Sequence, residues 1–219
     1  MISSDKLKAY FKNHPITGSI LLINLVMTII VLVDGNFSTL TLVKYGALNP
    51  LLVTQLNQYY RLLTVMFLHG SILHFIMNSI ALYYLGGQME MILGPKKYAL
   101  VYFASGIGSS LLVVFFAAQT SVTVGASGAI FGIMGGMLML TFTRTRWFNE
   151  RAVRSIRQMV IINLGITFLV PNISVAGHIG GLLTGIILFY FITPKMPYFI
   201  EKRGNIYFEG ERKEGTVTK

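Results

Sequence analysis

Ser127, His178, His74 and Asn78 are polar side chains set inside runs that are otherwise almost purely apolar. Within a membrane helix such groups are costly, and each ionisable one reads as a functional group by default. A serine hydroxyl becomes a nucleophile when a base takes its proton, and imidazole, with an ordinary pKa of about 6.5, has suitable basicity. Attack on a carbonyl also needs donors aimed at the oxyanion that forms. His74 and Asn78 are four residues apart, which sets them on one face of a helix. The set therefore holds the parts of an acyl-transfer site. Ser127 is the nucleophile and His178 the general base and acid. His74, Asn78 and the Ser127 backbone N–H form the oxyanion hole. His69 and Glu90 complete the ionisable groups in these runs; His69 is expected to be structural and Glu90 a structural cap near the inner boundary.

The elements that must position these groups are membrane helices. Of 219 residues, 53% are hydrophobic and only 12% charged, against about 25% charged in a soluble domain. A spanning helix needs about 20 mostly apolar residues. Stretches free of Asp, Glu, Lys and Arg run over Ile16–Val33, Leu62–Met89, Tyr98–Thr143 and Gln158–Pro194. The third is long enough for two helices with a break at Gln119-Thr120-Ser121, and the fourth for two with a break at Pro171-Asn172. Unbroken apolar runs favour helices over barrel strands, which alternate. The expected fold is all-α: a polytopic membrane protein with a compact bundle of six transmembrane helices. A short cytoplasmic N-terminal segment (1–15) precedes the membrane domain (16–194), and a polar, loosely ordered cytoplasmic tail (195–219) follows it. Ile16–Val33 is followed by Asp34-Gly35-Asn36 and not by a small-residue cleavage site, so it reads as a retained helix. His14, before Pro15, is expected at the surface.

Net charge is +10, and its distribution is topological. With the N-terminus cytoplasmic, sixteen Lys and Arg residues fall on inside segments and two, Lys44 and Arg61, outside. Both termini are then cytoplasmic. The Arg144–Arg157 cluster is read in the same way, and no nucleic-acid partner is implied. The connection from Asp34 to Arg61 is rich in Leu, Val and Tyr and is expected to lie partly in the membrane interface.

Depth follows from this topology. Helices 2, 4 and 6 run inward from the outer face, and His74, Ser127 and His178 each lie near the outer start of one of them. Glu90 is sixteen residues beyond His74, about 24 Å along a helix, and so falls near the inner face. The only outside carboxylate is Asp34, in a turn sequence. A Ser–His dyad is therefore favoured over a triad. Gly128, Gly132 and Gly136 recur every four residues, as do Gly177, Gly181 and Gly185. Such stripes let helices approach closely, which would bring Ser127 and His178 within hydrogen-bond reach.

Other chemistries are excluded by absence. There is no cysteine, hence no disulfide and no thiolate nucleophile. There is no H-E-x-x-H zinc motif and no phosphate-binding loop, and Gly-Ala-Ser-Gly-Ala does not match the G-x-S-x-G elbow. No metal and no cofactor is expected.

At these residues the chain resembles the rhomboid intramembrane proteases, over roughly Tyr60 to Gly185. Gly125-Ala126-Ser127-Gly128 is similar to the family's GxSG motif, Gly177-His178-Ile179-Gly180-Gly181 to its histidine motif, and His74-Phe-Ile-Met-Asn78 to its HxxxN oxyanion motif. Glu90-Met-Ile-Leu-Gly94 resembles the family's end of helix 2. The resemblance, to the bacterial six-helix type of the family, implies a serine endopeptidase of the bacterial plasma membrane that cleaves transmembrane segments of protein substrates near the outer leaflet. It further implies a lateral gate between helices 2 and 5, a mobile cap near Pro171–Val175, and cleavage after a small residue. Gly125, Gly128 and Phe131 support the site. Three departures bear on substrate preference: Tyr60-Arg61 for the frequent Trp-Arg, Gly177 for the usual Ala, and Phe131 for a common Tyr, placed to stack on His178. The rival readings are a catalytically inactive relative that binds membrane helices and a small transporter using its histidines as a proton relay.

Overall fold

The computed structural model describes residues 4–202. Among them helices are the only extended elements, and one isolated antiparallel bridge joins Leu48 to Thr123. A short helix α1 (Ser4–Asn13) leads into α2 (Pro15–Gly35). Proline at the first position of α2 lacks a donor that would be unpaired there in any case. The next two donors, Ile16 N–H and Thr17 N–H, bond the Glu90 carboxylate at 2.9 Å each, and the Thr17 hydroxyl donates to it at 2.8 Å. Glu90 is thus the buried cap of α2. The Tyr10 hydroxyl donates to the Tyr83 carbonyl at 2.7 Å and its ring stacks on Tyr83, so α1 is docked on the bundle. His14 is half-buried against the Tyr10 ring, at 4.6 Å between centroids, and not on the open surface as its sequence position led one to expect.

The long connection after α2 is structured by α3 (Thr39–Lys44) and α4 (Pro50–Leu56). Arg61 holds it together. Its guanidinium, almost fully buried, donates to the carbonyls of Val43 and Ala47 at 2.8 Å each and to Gln58 Oε1 at 2.7 Å.

The apolar run expected as one helix, Leu62–Met89, is two pieces. Helix α5 (Arg61–Thr64) continues as a 3-10 turn to Phe67, and the chain then bends by 92°. It resumes as α6 (Ile72–Ala81), a π-helical turn (Leu82–Gly86) and α7 (Gly87–Leu93). The break is chemical: Leu68 is extended, and Ser71 restarts the helix as its N-cap, accepting the His74 N–H at 3.1 Å.

Four further helices complete the fold: α8 (Pro95–Phe116), α9 (Ser127–Thr143), α10 (Glu150–Leu169) and α11 (Val175–Ile192). Helices α8, α9 and α11 pack on one another most extensively, and α9 is buried along nearly all its length. Helices α2, α8, α10 and α11 are long and apolar enough to cross a membrane, the bent α5–α7 pair passes as a fifth, and α9 is apolar but shorter, at 17 residues. Outward faces are apolar too, as Leu22, Val26 and Ile29 of α2 and Ile161, Phe168 and Leu169 of α10 illustrate. The chain is a multi-pass helical membrane protein. After Pro194 the expected loose tail is partly docked, since a helical turn at 198–202 brings the Tyr198 ring against Gly94; residues 203–219 lie outside the described residues.

Candidate active site

Two loops and two helix starts build the site. The loop before α9 is pinned by the Leu48–Thr123 bridge, with N–H···O distances of 3.0 and 2.9 Å, and by the Gly125 N–H donating to the Val65 carbonyl at 3.0 Å. Gly125 has φ +130°, which residues with a Cβ rarely adopt. Its Cα backs onto helix α6: a Cβ there would lie 2.8 Å from His74 Nε2 and 3.6 Å from Asn78 Nδ2. Ser127 follows as the first residue of α9, where backbone N–H groups have no acceptor within the helix and the helix dipole favours negative charge.

His178 enters from α11, one turn after its cap. Ser174 Oγ accepts the Gly177 N–H at 3.2 Å, and the His178 N–H bonds the Ser174 carbonyl at 3.0 Å. The two helices meet backbone to backbone. A Cβ on Gly181 would run into the Gly128 carbonyl, and one on Gly185 into the Gly132 carbonyl. With the axes this close, Ser127 Oγ and His178 Nε2 are 2.9 Å apart. The Phe131 ring, one turn below Ser127, stacks on the imidazole at 4.0 Å between centroids and 17° between planes. Both Ser127 and His178 remain half-buried, hence reachable.

The residues read from sequence as one site are therefore brought together. His74 lies beside Gly125, and Asn78 Nδ2 is buried with no hydrogen-bond partner among the described residues. The Gly70 N–H points at His74 Nδ1 over a long 3.5 Å, which favours the proton on Nε2, the nitrogen nearest Gly125. Asp34 is elsewhere: its carboxylate accepts from Lys44 at 2.8 Å on the surface. His69 is fully buried, edge-on to His74 and Phe75 in the elbow between α5 and α6. No group of three or more metal-ligating side chains occurs among the described residues.

One neighbour of His178 has no counterpart in the sequence reading. Thr167 Oγ1 of α10 is 2.8 Å from His178 Nδ1. A threonine in an apolar helix is usually satisfied by its own backbone, so nothing in its sequence context singles it out.

Against known proteins, residues 56–195 match the Rhomboid domain family model. The chain is 37% identical over 180 residues to "Rhomboid protease GluP" of Bacillus subtilis, covering 81% of this chain and 35% of that protein. It is 40% identical over 157 residues to "RHOMBOID-like protein 6, mitochondrial" of Arabidopsis thaliana, covering 71% and 50%. It is 35% identical over 163 residues to "RHOMBOID-like protein 4" of the same plant, covering 74% and 41%. The chain thus spans half or less of the length of each of these relatives. The aligned portion in each case takes in most of the chain described above, and with the matched domain it carries one conclusion: the chain belongs to the rhomboid family.

Proposed function

We propose that this chain is an intramembrane serine endopeptidase working through a Ser127–His178 dyad. The observation that carries the reading is the 2.9 Å contact between Ser127 Oγ and His178 Nε2, set beside the buried Asn78 Nδ2, which has no partner among the described residues. His178 takes the hydroxyl proton as Ser127 attacks a peptide carbonyl. The oxyanion is met by the Ser127 N–H, the Asn78 amide and His74. The protonated imidazole then delivers its proton to the leaving amine, and water hydrolyses the acyl-enzyme with His178 again as base. These steps are complete with the chain's own groups.

The topology proposed is six crossings with both termini cytoplasmic, in a bacterial plasma membrane. Helix α9, the fourth of the six proposed crossings, has 17 residues. It extends about 26 Å, less than a hydrocarbon core of about 30 Å. With its C-terminal end held at the inner face by Arg144, Arg146 and their neighbours, its N-terminus and Ser127 stop below the outer surface. Substrates on this reading are transmembrane segments of other proteins, admitted between α6 and α10. Support comes from α10, the least buried of the four long apolar helices, which packs mainly on α9 and little on α11.

The test is incubation of the purified protein in detergent with a fluorophosphonate probe and a model transmembrane substrate, beside Ser127→Ala and His178→Ala. Labelling and cleavage by the wild type, lost in both variants, is the expected result. A wild type that does neither, or a Ser127→Ala protein that still cleaves, overturns the reading in favour of an inactive helix-binding relative or a transporter.

A further inference from the structure

One buried polar side chain of α10, Thr167, faces the site. Only Ile156, Val160 and Thr167 of this helix are buried, and Thr167 is 2% exposed. Its hydroxyl hydrogen is committed, because Thr167 Oγ1 donates to the Asn163 carbonyl one turn back at 2.8 Å. The same oxygen lies 2.8 Å from His178 Nδ1. With its proton spent on Asn163, the oxygen faces the imidazole with a lone pair, and the nitrogen opposite must be the donor. Which ring nitrogen carries the proton in a neutral imidazole is decided by the partner of the other. A proton on Nδ1 leaves Nε2 as a lone pair aimed at Ser127 Oγ, 2.9 Å away. That is the tautomer a base must have.

We infer that Thr167 is a positioning residue for this site: from α10 it fixes His178 in the Nδ1–H tautomer and orients the ring toward Ser127. It fills, with a neutral hydroxyl, the place an acidic third member takes in a triad. The inference rests on the protease reading for its kinetic consequence, and on geometry alone for the tautomer. It also makes catalysis depend on α10. This helix has few buried anchors, and any displacement that took Thr167 away from His178 would remove the orienting partner of the base. A site whose proposed entrance runs along α10 is then competent only when α10 is seated.

The experiment compares wild type with Thr167→Val, which keeps the shape and removes the oxygen, and Thr167→Ser, which keeps the oxygen. Two readouts are taken on protein purified in detergent at pH 7.5: cleavage of a model transmembrane substrate, and 15N NMR of ring-labelled histidine with the His178 signals identified by their loss in His178→Ala. In the wild type His178 is expected to carry its proton on Nδ1. Thr167→Val is expected to shift that population toward Nε2–H and to lower kcat about 10- to 100-fold with KM within about threefold. Thr167→Ser is expected to restore both to within about threefold of wild type. The proposal is overturned if wild-type His178 is protonated on Nε2, if Thr167→Val keeps wild-type kcat and tautomer, or if Thr167→Ser behaves like Thr167→Val. Should Thr167→Val unfold, the wild-type and Thr167→Ser tautomers decide. A wild type that neither cleaves nor labels refutes the protease reading, while the NMR arm still judges the Thr167–His178 bond.

Discussion

Gly181 of α11 rests on the backbone of Gly128 in α9, so closely that a methyl group at 181 would meet the Gly128 carbonyl. The obstacle is main chain, which cannot rotate aside, so Gly181→Ala must push the helices apart. Ser127 and His178 ride on those two helices, and their 2.9 Å hydrogen bond does not survive about 1 Å of separation. A displacement of that size can cost a site about 10²-fold. Gly181→Ala is expected to lower the rate of fluorophosphonate labelling at least about 10-fold. Gly165→Ala, where a Cβ meets nothing within 4 Å, is expected to label at the wild-type rate.

Asn78 is expected to act on turnover and not on substrate binding. Its amide nitrogen is buried beside Gly125 with no hydrogen-bond partner among the described residues, so it is free to donate to an oxygen that arrives there. Removing one oxyanion donor typically lowers kcat by about 10²–10³-fold. Asn78→Ala should show that loss on a model transmembrane substrate with KM within about threefold. An equal loss of thermal stability and activity would instead assign Asn78 to the helix packing.

Glu90 is expected to be a matter of stability. The carboxylate accepts three hydrogen bonds from Ile16 and Thr17 and is 2% exposed, far along the chain from the site. Glu90→Ala strands these donors at the start of α2, and hydrogen bonds to a charged group contribute about 1.5–3 kcal/mol each at most. A clear fall in the detergent Tm is expected, with the labelling rate of the folded protein unchanged at 25 °C. Loss of labelling at a temperature where the variant is folded would overturn this assignment.

The sequence is most legible where one physical rule dominates. Long apolar helices such as α2 and α8 follow from the cost of burying unpaired backbone in lipid, and the glycine repeats announce the contact of α9 with α11 because only a missing Cβ permits it. The elbow between Phe67 and Ser71 is not legible by composition, since residues 62–89 stay free of charge through the bend. Arg61 reads as an outside cation, yet three hydrogen bonds tie its guanidinium to the Val43 and Ala47 carbonyls and to Gln58 Oε1, acceptors that come together only after α3 and α4 have folded. Thr167 is invisible for a similar reason: its partner is 11 residues away across a break, and a search for a carboxylate passes over a hydroxyl.

Phe131 separates the packing of the base from its chemistry. Its ring lies flat against the His178 imidazole at 4.0 Å, on the side away from any hydrogen bond, and so restrains the tilt of the base without touching its protons. Stacked aromatic pairs contribute about 0.5–1.5 kcal/mol beyond their buried area, which corresponds to about 2- to 12-fold in a rate. Phe131→Leu keeps an apolar side chain but gives up the flat face, and a kcat lower by about that factor is expected, with the Nδ1–H tautomer of His178 unchanged because Thr167 still holds it. Phe131→Tyr keeps the face and should stay within about threefold of wild type. A Phe131→Leu protein with full activity would mean that Ser127 and Thr167 alone are enough to hold the imidazole in plane.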